Sequence, residues 1–202
     1  MTLTPAAFYF DLASPSAYLL SEQVLHALPG PAEWHPVLAA GLSQGAPPDE
    51  HERAGGAGVD RPAIARRARE LGLQPMRWPD PFPFDSTLAM RVATYAKSIG
   101  RAVPFAQAAF RQAYAGGHSL QDQDFVLIAA AACEMHPAAV LKGAELRSVS
   151  EQLEQASAAA ARLGVREIPA IVVRGMHPEV FVGEDALARA AERMHEGASG
   201  FL

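Results

Sequence analysis

The spacing of apolar residues changes character along the chain. Phe8, Tyr9 and Phe10 form a short aromatic run closed by Asp11, which predicts a buried strand over Ala6–Asp11. From Pro15 to Leu28 the apolar side chains Tyr18, Leu19, Leu25 and Leu28 line one side of a helix. Pro15 suits the first turn, where its missing N–H costs little, and Pro29-Gly30-Pro31 stops the helix. Trp34 and Val37 mark a second strand within Glu33–Leu38. Strand, helix and strand in this order predict two parallel strands joined by a right-handed crossover. Gly41 to Gly58 then loses all periodicity and holds five glycines and two prolines, so it reads as a loop, either functional or a surface insertion.

From Asp60 the pattern is helical. Asp60 can cap a helix over Arg61–Leu71, and Gly72 ends it. Trp78 to Phe84 is a proline-rich aromatic connector whose rings can either pack in the core or wall a cleft. Asp85 or Ser86 caps the next helix, where Leu88, Val92, Tyr95 and Ile99 recur at helical spacing. Further helices are expected over Val103–Ala115, from Asp122 or Asp124 to about Met135, from Pro137, and from about Ser148 to Leu163. Strand character returns at Ile168–Val173 and Val180–Val182, and a last helix starts at Glu184 or Asp185. A βαβ unit and a ββα unit can share one four-stranded sheet with helices on both faces. The fold class is therefore α/β, with residues 1–58 and 164–202 forming a discontinuous domain and 59–163 a helical insertion.

Composition narrows the function classes. Half of the 202 residues are hydrophobic and 19% are charged, as in a globular chain. A net charge of −5 without a basic run argues against a nucleic-acid surface. No apolar segment is long enough to span a bilayer, and no basic segment followed by an apolar one opens the chain, so no membrane partner and a cytoplasmic location are expected. Cys133 is the only cysteine, which leaves no dithiol chemistry. It lies in an apolar helical run and reads as a buried small hydrophobe. The seven histidines form no HExxH and no Cys/His cluster, so no metal is expected. His118, His136 and His177 fall at turns and are expected to face solvent.

One short stretch carries candidate chemistry. The turn Ala13-Ser14-Pro15 leads from a strand into a helix, where free N–H groups and the helix dipole favour an anion. Ser14 adds a hydroxyl there. It can serve as a helix N-cap, or hold the sulfur of a thiol cofactor as a thiolate.

The segments Phe8-Tyr9-Phe10-Asp11-Leu12-Ala13-Ser14-Pro15-Ser16-Ala17-Tyr18-Leu19, Leu163 to Val173 and Val182-Gly183-Glu184-Asp185-Ala186-Leu187 together resemble the thioredoxin fold with a helical insertion, as in the DsbA-like group. More narrowly they resemble the 2-hydroxychromene-2-carboxylate isomerase family, whose architecture is that of the kappa-class glutathione transferases. Ala65 to Leu73 is similar to that family's basic helix. The resemblance implies a thioredoxin-like four-stranded mixed sheet with a large all-helical insertion, and glutathione as cofactor. It implies that Ser14 is the catalytic serine, standing where oxidoreductases of this fold have their first cysteine, with Ala17 at the second. It implies that Ile168-Pro169 is a cis-proline turn docking the cofactor backbone, and that Glu184 and Asp185 hold its γ-glutamyl end. The carboxylate of Asp185 can equally cap the last helix, and Pro169 can equally begin a strand in the trans form. The family's Asn-Lys pair is absent before Pro47-Pro48; Gln44 can supply an amide contact, and Arg53 or Arg61 a cation. The implied reaction is cis-trans isomerisation of an aromatic or unsaturated carboxylate, by thiolate addition to an activated C=C, rotation and elimination. A kappa-like transferase and a redox-inactive DsbA-like binding protein are the alternatives. A homodimer is expected from the resemblance.

Overall fold

Residues 6–10 are buried on both faces, which is why this strand is apolar throughout and lies inside the sheet. The computed structural model describes residues 5–42, 58–183 and 185–199. Gln44, Arg53 and Glu184, with most of the Gly41–Gly58 loop, lie outside them.

The chain runs β1 (Ala6–Phe10), α1 (Pro15–Ala27) and β2 (Ala32–Pro36), then six helices: α2 (Arg61–Glu70), α3 (Thr87–Ser98), α4 (Ala102–Tyr114), α5 (Gln123–Ala131), α6 (Pro137–Ala144) and α7 (Arg147–Arg162). It closes with β3 (Ala170–Val173), β4 (Glu179–Val182) and α8 (Ala186–Ser199). The strands form one mixed sheet in the order β2-β1-β3-β4. β1 pairs parallel with β2 and antiparallel with β3, and β3 pairs antiparallel with β4. This is the expected four-stranded mixed sheet with a helical block between its halves.

Strand alternation divides the sheet into two faces. Phe8, Phe10, Trp34, Ile171 and Phe181 share one core with α1, α8 and the helical block. Trp34 meets Phe8 edge-on at 4.9 Å and Phe10 at 5.8 Å. Ala7, Tyr9, Ala170 and Val172 face the other way, against Ala160, Ala161 and Val165 at the end of α7. Thus α7 covers the sheet's second face.

Helix α5 ends at Ala131, earlier than the apolar run suggests. Glu134 takes a left-handed φ of 60°, and the Met135 N–H turns back to the Ala130 carbonyl. Cys133 therefore sits in the closing turn rather than in the helix. It is 7% exposed, and its thiol donates to the Ala129 carbonyl at 3.3 Å.

Candidate active site

The Ser14 turn is fixed at every residue. The Asp11 carbonyl accepts the Ser14 N–H at 3.0 Å, and the Asp11 carboxylate accepts the Ala13 N–H at 3.0 Å. The buried Leu12 N–H points at Met90 Sδ (3.3 Å), and the Tyr114 hydroxyl donates to the Leu12 carbonyl at 3.4 Å. Met90 and Tyr114 belong to α3 and α4, so the helical block holds the turn directly.

Ser14 is the N-cap of α1. Its Oγ accepts the Ala17 N–H at 3.1 Å, and its carbonyl accepts the Tyr18 N–H at 3.1 Å. The cap uses only an acceptor site, and a hydroxyl keeps one donor. Among the described residues the Ser14 O–H has no acceptor, and neither has the exposed Ser16 N–H. The two roles weighed for Ser14 are therefore compatible: one oxygen caps the helix and can still donate outward, at the end of α1 where the dipole favours negative charge.

Strand register brings the distant sequence motifs to this turn. Tyr9 pairs with Ala170, and Ala170 pairs with Val182. Ile168 and Pro169 precede Ala170, so they lie beside the Phe10–Asp11 end of β1. Asp185 follows Val182 by three residues at the same end of the sheet. The Ile168–Pro169 bond is cis, and both residues are half-buried. Asp185 is exposed, and its carbonyl accepts the Arg189 N–H at 3.0 Å. Its carboxylate makes no hydrogen bond or ion pair among the described residues. Arg61, proposed as a spare cation, instead lies over the rings of Trp78 (4.8 Å) and Phe82 (5.1 Å). Trp78 and Phe82 are half-buried, whereas Phe84 is core.

Asp11 is the site residue that sequence reasoning missed. It is 4% exposed, and among the described residues no cation lies beside it. Its Oδ1 also accepts the Ser86 hydroxyl at 2.7 Å, and Oδ2 accepts the Ala39 N–H at 3.0 Å. One carboxylate thus joins the Ser14 turn, the start of α3 and the segment after β2. Burial pushes its pKa up, against the lowering effect of the Ala39, Ala13 and Ser86 donors. Because Ser86 is spent on Asp11, Asp85 takes over at α3, accepting from the Thr87 N–H and hydroxyl at 2.8 and 2.6 Å. The available signal was a charged residue closing an aromatic strand.

A second charged cluster lies on the α7 side of the sheet. Lys97 Nζ is 2.9 Å from Glu33 Oε1 and 2.9 Å from His35 Nδ1. His35 Nε2 lies 3.1 Å from Glu33 Oε2. Arg174 reaches Glu33 Oε2 at 3.1 Å and lies 2.9 Å from His35 Nε2. Burial, then the Lys97 charge, lowers the His35 pKa to about 4. The Lys97 hydrogen bond lowers that of Glu33 to about 2.

Among the described residues, no group of three or more His, Cys, Asp or Glu side chains is placed to hold a metal, and no helix is long and apolar enough to cross a membrane. Of the turn histidines, His118 is half-buried and stacks on Phe125 at 4.2 Å, while His136 and His177 are exposed.

The architecture is shared with solved structures. A 2-hydroxychromene-2-carboxylate isomerase aligns with a TM-score of 0.78 at 16% identity, covering 95% of each chain. A probable DsbA oxidoreductase from Streptomyces coelicolor aligns at 0.74 and 18% identity, over 98% of this chain and 92% of its own. The cytosolic disulfide reductase DsbM from Pseudomonas aeruginosa, in a structure with GSH, aligns at 0.65 and 12% identity, over 95% and 98%. At these identities the likeness is one of fold. No curated protein matches the chain. The model of the DSBA-like thioredoxin domain matches residues 7–195, nearly the whole chain, and with the sheet order and the placement of the helical block it shows that the chain belongs to the DSBA-like thioredoxin family.

Proposed function

We propose that this chain is a glutathione-dependent isomerase of the 2-hydroxychromene-2-carboxylate type, acting on an unsaturated carboxylate. The observation that carries the reading is the convergence of Ser14, Ile168-Pro169 and Asp185 at one end of the sheet, with a serine hydroxyl free to donate at the start of α1. Glutathione, when bound, would supply a sulfur nucleophile able to add reversibly to an activated C=C.

The residues present fit such a cofactor. The Ser14 O–H and Ser16 N–H offer donors to a thiolate at a helix N-terminus, which lowers thiol pKa values. The polar backbone around Ile168-Pro169 offers an edge to an extended peptide, as in strand addition. The unpaired Asp185 carboxylate can take the ammonium of a γ-glutamyl group. Ser14 and Ala17 leave no redox pair on the turn, and Cys133 lies on another element. These facts favour addition chemistry over thiol–disulfide exchange.

Titration calorimetry with glutathione, on wild type and on Ser14→Ala, tests the reading. Wild type is expected to bind, and Ser14→Ala to bind more weakly. Absence of binding by the wild type would remove the isomerase assignment.

A further inference from the structure

A groove of about 860 Å³ runs between α1, α4, the connector after α2 and the end of α5. Residues 11–14 do not line it, so it is distinct from the Ser14 turn. Its charged groups are Arg77, Arg111 and Glu22. Arg111 and Glu22 satisfy each other through a bidentate contact of 2.7 and 2.6 Å. Arg77 is exposed and meets no carboxylate among the described residues. Among the described residues the groove therefore carries one uncompensated positive charge.

Tyr18 provides a second, independent feature. Its ring stacks on Tyr114 at 5.6 Å and lies against Phe110 at 6.3 Å, leaving the residue 2% exposed. It lines the groove, yet its hydroxyl makes no hydrogen bond among the described residues. The hydroxyl is open to the groove and keeps its proton to donate, so a ligand oxygen there can take the place of water. Between the polar groups the wall is apolar, formed by Leu73, Pro104 and Ala108.

We infer that this groove is a second ligand site, for a small organic carboxylate with an apolar body. Arg77 takes the carboxylate, Tyr18 donates its hydroxyl to it, and the body rests on Leu73, Pro104 and Ala108. A single excess positive charge over an apolar wall matches a monoanion better than a phosphate, which brings more charge and no apolar surface. Nothing in this site depends on glutathione.

Amide NMR titration of the full chain tests it, with hexanoate, hexanamide and inorganic phosphate at matched ionic strength. Hexanoate is expected to shift the amides of Leu73, Arg77 and Gln107 saturably, and hexanamide and phosphate are not. Tyr18→Phe removes an oxygen that bonds nothing in the protein, so its fold is retained. Tyr18→Phe and Arg77→Gln should each weaken hexanoate by about tenfold, the usual loss for a charge-assisted hydrogen bond. Hexanoate shifts that are absent, matched by phosphate, or unchanged in both variants would overturn the site.

Discussion

Asp11 and Glu33 stand beside neighbouring strands of one sheet, and their carboxylates are held in opposite ways. Among the described residues Asp11 is buried without a cation and is satisfied by two backbone N–H groups and a serine hydroxyl. Glu33 is exposed and meets Lys97, His35 and Arg174. Burial wins at Asp11, whose pKa is raised, while cation contact wins at Glu33, whose pKa falls to about 2. The comparison teaches that the number of charges nearby does not measure what a carboxylate does for the fold. The carboxylate with no charged partner ties three segments together under the candidate active site, and the carboxylate with three nitrogen partners sits where water competes for them.

The largest effect is expected at Asp11. Asp11→Ala leaves three donors without acceptors and should destabilise the chain by about 3 kcal/mol or more, read from urea unfolding. A loss below about 1 kcal/mol would erase the contrast with Glu33. Ser86→Ala removes one of the three donors and should cost about 1–2 kcal/mol.

The next effect is a pH dependence of opposite sign at the two places. His35 has its pKa lowered from 6.5 to about 4, so its contribution is complete above pH 6.5 and is lost as the pH falls toward about 4. Glu33, lowered from 4.5 to about 2, adds to this loss below pH 4.5. Asp11 is raised, so its contribution is present below 3.8 and is lost as the pH rises through its folded-state value. Between pH 6.5 and 4 the wild type should therefore lose more stability relative to neutral pH than His35→Gln does, by the share that His35 contributes. Equal slopes in unfolding experiments across that range would contradict the burial assigned to the ring.

The smallest effect is expected at Glu33. Glu33→Gln should cost about 0.5–1 kcal/mol, because the group is exposed and screened. It should also lower the His35 pKa further, since Glu33 is the group that raises it, and imidazole NMR can follow this.

Much of the fold was legible because strand and helix periods differ. The aromatic run at Phe8–Phe10, the β-branched run at Ile171–Val173 and the proline stops each mark an element within a residue or two. The end of α5 was not legible, because the left-handed residue that closes it is Glu134 rather than a glycine. Ser14 and Ile168-Pro169 stood out locally, but the register joining them is a property of the sheet. Asp11 was hidden because its partner Ser86 lies 75 residues away and looks like a plain helix cap. Lys97 was hidden likewise: helical spacing marks it as polar, and only the crossing of α3 over β2 brings it to Glu33 and His35.

Ser14 is both helix cap and outward donor, and Ser14→Gly separates the two roles, since glycine caps nearly as well and has no hydroxyl. The most direct measurement is the thiol pKa of bound glutathione, followed by thiolate ultraviolet absorbance against pH, in wild type and Ser14→Gly. A donating Ser14 should hold the bound thiol below its ordinary value of about 8.5 in wild type and release it upward in the variant. The same pKa in both proteins would show that Ser14 only caps the helix.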